Sequence, residues 1–312
     1  MNSAAPPSTS SAPPPASPGS ASPAFKPILA LLLGATSWGI LWYPFRIMHQ
    51  AGLGAPLACF AAYLIATLIG VILLHKKLPQ LRENWRWLVV IGLAAGITNV
   101  SYLVAVMHAE VVRIVLLFYL APLWTVPLAR YFLHEKLNRQ AAAVTVLALS
   151  GAMVMLWRPE AGLPLPANIY EWLGLLAGFF FALCNVLVRA ATQVSAEIKS
   201  LAGATGVMLV ALPTALFLGP PPSMWAAAVA PHLGLLALLG VVLILTSFAF
   251  QYGVMRLSAN RAAVILLFEL IVAAVAAHFL TNEQTRPQEW IGGALIVVAG
   301  MATTFWAHDP KK

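Results

Sequence analysis

Charged side chains are scarce in this chain of 312 residues. Asp, Glu, Lys and Arg together make up 9% of it, whereas about a quarter of the residues in a soluble domain are charged. Hydrophobic residues make up 61% and form long apolar runs, each able to cross a hydrocarbon core of about 30 Å as a helix. The composition therefore excludes a water-soluble fold and predicts an all-α membrane protein.

Motifs that bind metals or nucleotides are also missing. The two cysteines, Cys59 and Cys184, fall within predicted helices and make neither a disulfide framework nor a metal site. The seven histidines show no metal-ligand spacing, and His134-Glu135 is not continued into an HExxH motif. No GxxxxGK motif followed by Ser or Thr is present. We therefore expect no metal, no cofactor and no ATP-driven step, and the pattern disfavours an integral membrane enzyme.

The basic residues do not form a patch. The formal net charge is +8, but the cations lie between the apolar runs and not on one face or in one motif, which argues against a nucleic-acid partner. Residues 1–26 are rich in Pro, Ser and Ala and cannot form a packed core. We expect them to be a disordered cytoplasmic tail.

The apolar runs predict ten transmembrane helices, with approximate bounds 27–48, 55–75, 86–107, 111–133, 138–157, 170–191, 198–218, 230–254, 261–280 and 287–306. Lysine and arginine give their direction, because these residues are enriched in cytoplasmic loops. If the N-terminus is inside, fourteen of them face the cytoplasm and four face out, namely Arg46, Arg113, Arg158 and Arg286. Both termini of this multi-pass protein are therefore predicted on the cytoplasmic side of the cytoplasmic membrane.

The second half of the chain repeats the first. Residues 116–120 read "LLFYL" and residues 266–270 read "LLFEL", and the glutamates of the loops that follow, Glu135 and Glu283, lie 148 residues apart. Because each half has an odd number of helices, five, the second half would enter the membrane inverted. Inverted repeats are an architecture of secondary transporters. The predicted repeats span 27–157 and 158–312, the second ending in a short basic tail.

Three stretches carry a resemblance to a known family. They are "TSWGILWYPFR" in the first helix, "YLAPLWTVPLARYFLHEKLNRQAAAVTVLALSGAMVM" across the fourth and fifth, and "FELIVAAVAAHFLTNEQTRPQEWIGGALIVVAGM" in the second half. There the chain resembles the drug/metabolite transporter superfamily, in its ten-helix EamA-like family. It departs from the family pattern at His134 and Asn282, where Gly is common, and at Leu270, where Pro is common. The resemblance implies export or exchange of small polar or amphipathic metabolites, commonly amino acids, through a central cavity.

Glu269 is the main candidate for a functional residue in such a cavity. It lies eight residues beyond Arg261, about 12 Å into the bilayer at 1.5 Å per residue. An acid at that depth costs about 2.5–3.5 kcal/mol on insertion scales, so it should face the bundle interior. There it would bind substrate, act as a proton site because desolvation favours the neutral carboxyl, or bond a neighbouring helix. Superposing the two LLF stretches puts Tyr119 at the equivalent position of the first half.

Other polar and aromatic side chains lie near mid-membrane depth, where an unpaired polar group costs several kcal/mol. They should therefore face the bundle, toward either substrate or another helix. The predicted substrate-binding residues are Trp38, Asn99, Tyr102, Tyr119, Asn185 and Glu269. Trp42, Gln251 and Tyr252 are weaker candidates, because they lie nearer to the membrane surfaces.

Arg46 and Arg113 are expected at the outer ends of helices. Each would snorkel to the headgroups or take part in an outer gate, with Glu110 as a partner. Glycines at small-xxx-small spacing permit close packing of helices within the bundle or in a homodimer. These glycines are Gly92 with Gly96 and Gly174 with Gly178.

The leading hypothesis is a secondary transporter that exports small metabolites by alternating access, with amino acids as the first substrate class. Its partners would be the small-molecule substrate, the lipid bilayer and, as a further candidate, a second copy of the chain. Uptake or exchange of a nucleotide-like or vitamin-like metabolite is the alternative within transport. A scaffold role would leave the lone buried acid unexplained.

Overall fold

The computed structural model describes residues 25–134, 166–256, 259–281 and 286–306, with a few single positions between 143 and 157. In this part of the chain the protein consists of helices joined by turns and short connections. The helices are α1 Phe25–Gln50, α2 Ala55–Leu73, α3 Pro79–Glu83, α4 Trp85–His108, α5 Val111–Phe118, α6 Ala121–Leu133, α7 Ile169–Ala190, α8 Ala196–Leu218, α9 Trp225–Val229, α10 Leu233–Arg256, α11 Ala259–Leu280 and α12 Pro287–Trp306. Almost all of the predicted tail, most of the predicted helix 138–157, and both loop glutamates, Glu135 and Glu283, lie outside the described residues.

Six of the described helices, α1, α2, α4, α7, α8 and α10, are long and apolar enough to cross a membrane, and α5 with α6 would make a seventh span. Large apolar side chains such as Leu33, Ile72 and Phe217 are exposed on their outer surfaces. So much exposed apolar surface is unfavourable in water. In a bilayer the same surface is solvated by lipid tails, and the backbone groups of each helix are satisfied internally.

Eight of the ten predicted spans coincide with observed helices to within three residues at each end. The prediction of one continuous helix over 111–133 is wrong. The chain forms α5 and α6, with Tyr119 in the turn between them and a bend of 44° near Pro127. A proline has no N–H group, so Pro122 cannot donate to the carbonyl of Phe118 as a continuous helix requires.

The two halves of the chain interlock, because most helix contacts among the described residues cross from one half to the other. α4 packs against α7 and α8, and α10 packs against α1 and α2. Likewise α5 and α6 pack against α7, while α11 packs against α1. The same pairs result when α1 is exchanged with α7, α2 with α8, α4 with α10, and α5–α6 with α11. The packing therefore has an approximate two-fold symmetry.

Glycines set the closest approaches between the halves. A Cβ atom at Gly92 would lie 2.9 Å from the carbonyl oxygen of Ala202, and one at Gly240 would lie 3.1 Å from that of Ala62. Gly92 and Gly240 are 148 residues apart in the chain, and Ala62 and Ala202 are 140 apart. Equivalent positions of the two halves therefore make equivalent backbone contacts, as small residues permit in membrane bundles.

The two LLF stretches are held by the same kind of contact. A Cβ atom at Gly178 would lie 2.6 Å from the carbonyl oxygen of Phe118, and one at Gly39 would lie 2.9 Å from that of Glu269. A glycine of each half thus packs against the repeated stretch of the other half. The prediction that the spaced glycines pack helices within the bundle is confirmed for the pair on α4 and for the pair on α7.

We predict that Gly178→Ala lowers the thermal unfolding midpoint of the detergent-purified protein. The added Cβ atom overlaps the carbonyl of Phe118, and overpacking of this kind costs about 1–3 kcal/mol. Gly234→Ala is the matched control, because a Cβ atom there meets open space. Tryptophan fluorescence on heating measures both midpoints, and equal values would show that α5 and α7 do not pack closely at this point.

Candidate functional site

A cavity of about 390 Å³ lies between the two halves of the chain. Its wall includes residues from α1, α2, α4, α7, α8, α10 and α11 and from the broken α5–α6 segment. The six residues that the sequence selected as substrate-binding candidates all line it: Trp38, Asn99, Tyr102, Tyr119, Asn185 and Glu269. The weaker candidates Trp42 and Gln251 line it as well, whereas Tyr252 does not and instead packs its ring against the Arg256 guanidinium.

Glu269 and Tyr119 meet in the wall of this cavity. The Tyr119 hydroxyl donates a hydrogen bond to the Glu269 carboxylate. Tyr119 lies in the turn between α5 and α6, and Glu269 lies within α11, where Gly39 packs against its backbone carbonyl. The two residues that differ between the matching LLF stretches are thus direct partners across the repeat, and together they present a carboxyl group to the cavity.

A second polar pair lies between α2 and α4. The Tyr63 hydroxyl donates to Oδ1 of Asn99 at 2.9 Å, and Nδ2 of Asn99 donates to the carbonyl of Ala95 at 2.9 Å. These bonds fix the orientation of the amide at the edge of the cavity. Sequence reasoning missed Tyr63, although a phenol in the middle of an apolar helix is the same signal that selected Tyr102.

Aromatic rings cover much of the wall beside the acid. Phe118 lies 5.3 Å from Tyr102 and 4.9 Å from Phe181 between ring centroids. Trp38 and Trp42 add their rings from α1, and Nε1 of Trp42 donates to the carbonyl of Gly39 at 2.9 Å. Ring faces attract both apolar groups and cations. The cavity therefore suits a ligand with an apolar or aromatic body.

The cavity is closed at one end and open at the other. At the end where α1 finishes and α2 begins, the lining residues Trp42, Phe45 and Cys59 are at most 4% exposed. At the opposite end, where α7 finishes and α8 begins, Asn185 is exposed and Lys199 is half-buried. The site is thus accessible from one side of the bundle.

Arg113 does not lie at the surface, and the expectation that it snorkels to the headgroups is wrong. Its Nε atom lies 3.0 Å from Oε1 of Glu171 and its Nη2 atom 3.2 Å from Oε2, and the two side chains are 4% and 3% exposed. The backbone N–H of Ala167 also donates to the Glu171 carboxylate. Two-point pairing of this kind is strong and directional. It ties α5 to the start of α7 beyond the closed end of the cavity.

Sequence reasoning missed Glu171 as the partner of Arg113. The side chain of Asn168 accepts hydrogen bonds from the N–H groups of Tyr170 and Glu171, so it caps α7. An Asn three residues before an acid is a helix-start signal. That signal predicts the first turn of α7, but not which cation Glu171 will meet.

Arg46 packs at the same closed end. Its Nη2 atom donates to the carbonyl of Ala109 at 3.3 Å, and its guanidinium lies 5.6 Å from the Trp42 ring centroid. The ring of His108 stacks on Tyr170 at 4.7 Å. Neither Arg46 nor Arg113 lines the cavity, so an outer gate formed by these two residues stays a prediction.

Among the described residues, no group of three or more His, Cys, Asp or Glu side chains could hold a metal ion.

Comparisons with known proteins give a consistent result. The model of the EamA-like transporter family matches the chain twice, over residues 25–157 and 168–305. An S-adenosylmethionine uptake transporter of Rickettsia bellii is 27% identical over 70% of this chain and 70% of that protein. Protein RarD of Streptomyces exfoliatus is 25% identical over 86% of this chain and 84% of that protein. One crystal structure, 19% identical, matches with a TM-score of 0.57 over 91% of this chain and 98% of the other, which shows the fold alone.

We predict that Glu171→Gln destabilises the protein strongly. The change leaves the buried guanidinium of Arg113 without its counter-charge, and breaking a buried pair in this way costs about 3–5 kcal/mol. The unfolding midpoint in detergent should fall well below that of Lys77→Gln, which breaks the half-exposed pair of Lys77 with Glu197. Equal midpoints for the two variants would contradict a stabilising role for the Arg113 pair.

Proposed function

Because the chain belongs to the EamA-like transporter family, we propose that it is a secondary transporter that moves a small metabolite through its central cavity by alternating access. The observation that carries this proposal is a cavity of about 390 Å³ between membrane-type helices of both halves, with a carboxyl group and aromatic rings in its wall. Mostly apolar cavities with a few oriented polar groups are the usual sites for small organic ligands.

We propose ten membrane crossings in two inverted halves, 27–157 and 158–312. Two observations support this division. The family model matches the chain twice, once on each side of the junction, and exchanging the halves reproduces the helix pairs that are in contact.

The helix directions support the inversion. On α4 and α8, Gly92 lies against Ala202 and Gly96 lies against Gly206, so residue numbers rise together and the two helices are parallel. α8 and α10 are consecutive long helices joined by a short connection, so as membrane spans they run in opposite directions. α4 therefore runs opposite to α10, its counterpart in the second half.

We propose that the protein lies in the cytoplasmic membrane and that both of its termini are in the cytoplasm. It rests on the lysines and arginines, fourteen of which then lie inside and four outside. In this orientation the open end of the cavity, at Asn185 and Lys199, faces the cytoplasm. The closed end, at Trp42 and Phe45, faces outward.

The substrate class we propose is an amphipathic metabolite with a cationic group. Glu269 supplies a counter-charge for that group, and the rings of Trp38 and Tyr102 supply faces for cation–π and apolar contact. S-Adenosylmethionine, which the Rickettsia bellii relative is named for taking up, has both a cationic centre and an aromatic base. Uptake or exchange of a metabolite of this class is therefore the activity that we favour.

Export of amino acids, the leading hypothesis from the sequence, has no support from the names of these relatives and stays a prediction. The same holds for Glu269 as a proton site and for a homodimer. The spaced glycines that suggested a dimer pack against helices of the same chain.

We predict that purified protein in liposomes takes up radiolabelled S-adenosylmethionine and that Glu269→Gln lowers the initial rate at least about 10-fold, the effect of losing one charge-assisted contact. Glu83→Gln, at an exposed position at the end of α3, is the control and should keep the native rate. Rapid filtration of the vesicles measures all three rates.

Two results would count against this function. If Glu269→Gln transports at the native rate, Glu269 does not take part in substrate binding. If the native protein takes up no label but releases preloaded leucine faster than protein-free vesicles do, the amino-acid hypothesis replaces the S-adenosylmethionine class.

A further inference from the structure

A lysine lines the same cavity as Glu269, and it is absent from the sequence-based site. Lys199 lies in the first turns of α8 at the open end. Its ammonium group donates one hydrogen bond, to the carbonyl of Val188 at 2.8 Å. Within the part of the chain that the structure describes, no carboxylate pairs with it, since the nearby Glu197 is paired with Lys77.

An ammonium group has three donors and carries a full charge. A cation within a membrane bundle is costly unless it is paired or faces a water-filled cavity. One backbone carbonyl satisfies one donor of Lys199 and leaves its charge without a counter-charge. A ligand that brings an anionic group into the cavity would supply a counter-charge and acceptors for the remaining N–H donors of Lys199.

We propose that Lys199 binds the anionic group of a substrate whose cationic group is bound at Glu269, so that the transported class is zwitterionic. This inference rests on the proposed function, because it assigns the residue that binds the second charged group of the substrate in the same site. A carboxylate is the simplest group that fits, since it accepts hydrogen bonds from an ammonium group at short distance. Lys199 and Glu269 carry opposite charges, so each can bind the oppositely charged group of one ligand.

The distance between Lys199 and Glu269 restricts the class of substrate further. Lys199 is the fourth residue of α8 and Glu269 the eleventh of α11. In the proposed topology both helices begin at the cytoplasmic face, so the two backbones differ in depth by about 10 Å at 1.5 Å per residue. The Lys199 ammonium group is held at the carbonyl of Val188, near the end of α7, and does not extend toward Glu269. The ammonium and carboxylate of an α-amino acid are attached to one carbon atom, so they are too close together to bind at Lys199 and Glu269 at once. The substrate therefore carries its opposite charges several bonds apart.

The repeat indicates that Lys199 belongs to the site and not only to the packing. The contacts of Ala62 and Ala202 relate α2 to α8 by 140 residues, which makes Cys59 the counterpart of Lys199. Cys59 lines the closed end of the cavity and is 1% exposed. The equivalent helix end thus packs with a small neutral side chain at the closed end, whereas a charged side chain stands at the open end.

The test compares two probes in liposomes: S-adenosylmethionine and its decarboxylated analogue, which lacks only the carboxylate. We expect native protein to take up the first with a KM at least about 10-fold lower, the equivalent of one charge-assisted hydrogen bond. Lys199→Gln should raise the KM for S-adenosylmethionine by a similar factor and leave that for the analogue unchanged. Lys199→Arg, which keeps the charge, should retain most of the preference. Lys76→Gln, which removes an exposed lysine and leaves the pair of Lys77 with Glu197 in place, should behave as native protein.

The outcomes separate the inference from the function on which it rests. Equal KM values of the native protein for both probes would overturn the role of Lys199 in binding a carboxylate. So would a Lys199→Gln substitution that changes both KM values by the same factor. Lys199 would then only connect α7 and α8 through its hydrogen bond. Gln still offers an N–H donor to the Val188 carbonyl, so the hydrogen bond between α7 and α8 is largely retained in that variant. Native protein that takes up neither probe would overturn the proposed function itself.

Discussion

The architecture depends on close approach of backbones from opposite halves of the chain. In a bilayer, helices gain no hydrophobic free energy by associating, so packing of small residues has to hold the bundle together. Gly92 and Gly240 make equivalent contacts with Ala202 and Ala62. Because most contacts between helices run between the halves, the space that they leave along the shared interface becomes the cavity. The position of the site is therefore a consequence of how the repeats interlock.

The broken fourth span completes the site. Prolines interrupt the backbone hydrogen bonds of the segment, which turns between α5 and α6 at Tyr119. The turn brings the Tyr119 hydroxyl to the carboxylate of Glu269, and Gly178 packs against the carbonyl of the preceding Phe118. An uninterrupted helix would satisfy its own backbone but would not produce this turn. A local irregularity is tolerated here because it borders a cavity and not lipid.

Charge is distributed unevenly along the axis of the bundle. Beyond the closed end, Arg113 and Glu171 neutralise each other in a buried pair that ties α5 to α7. Among the described residues, the partners of Glu269 and Lys199 in the cavity wall are neutral, a phenol and a backbone carbonyl. The Arg113 pair joins two helices beyond the closed end, whereas Glu269 and Lys199 place opposite charges in the wall of the cavity.

The membrane class, the bounds of eight helices and six residues of the cavity wall could be predicted from the sequence, because apolar length and the cost of burying polar groups are local properties of the chain. It also predicted the family, which the matches over 25–157 and 168–305 show. The partners of the polar side chains could not be predicted: Glu171 for Arg113, Tyr63 for Asn99 and Tyr119 for Glu269. These pairs join residues 36 to 150 positions apart, and which helix faces which follows from packing over the whole bundle, which no local pattern records.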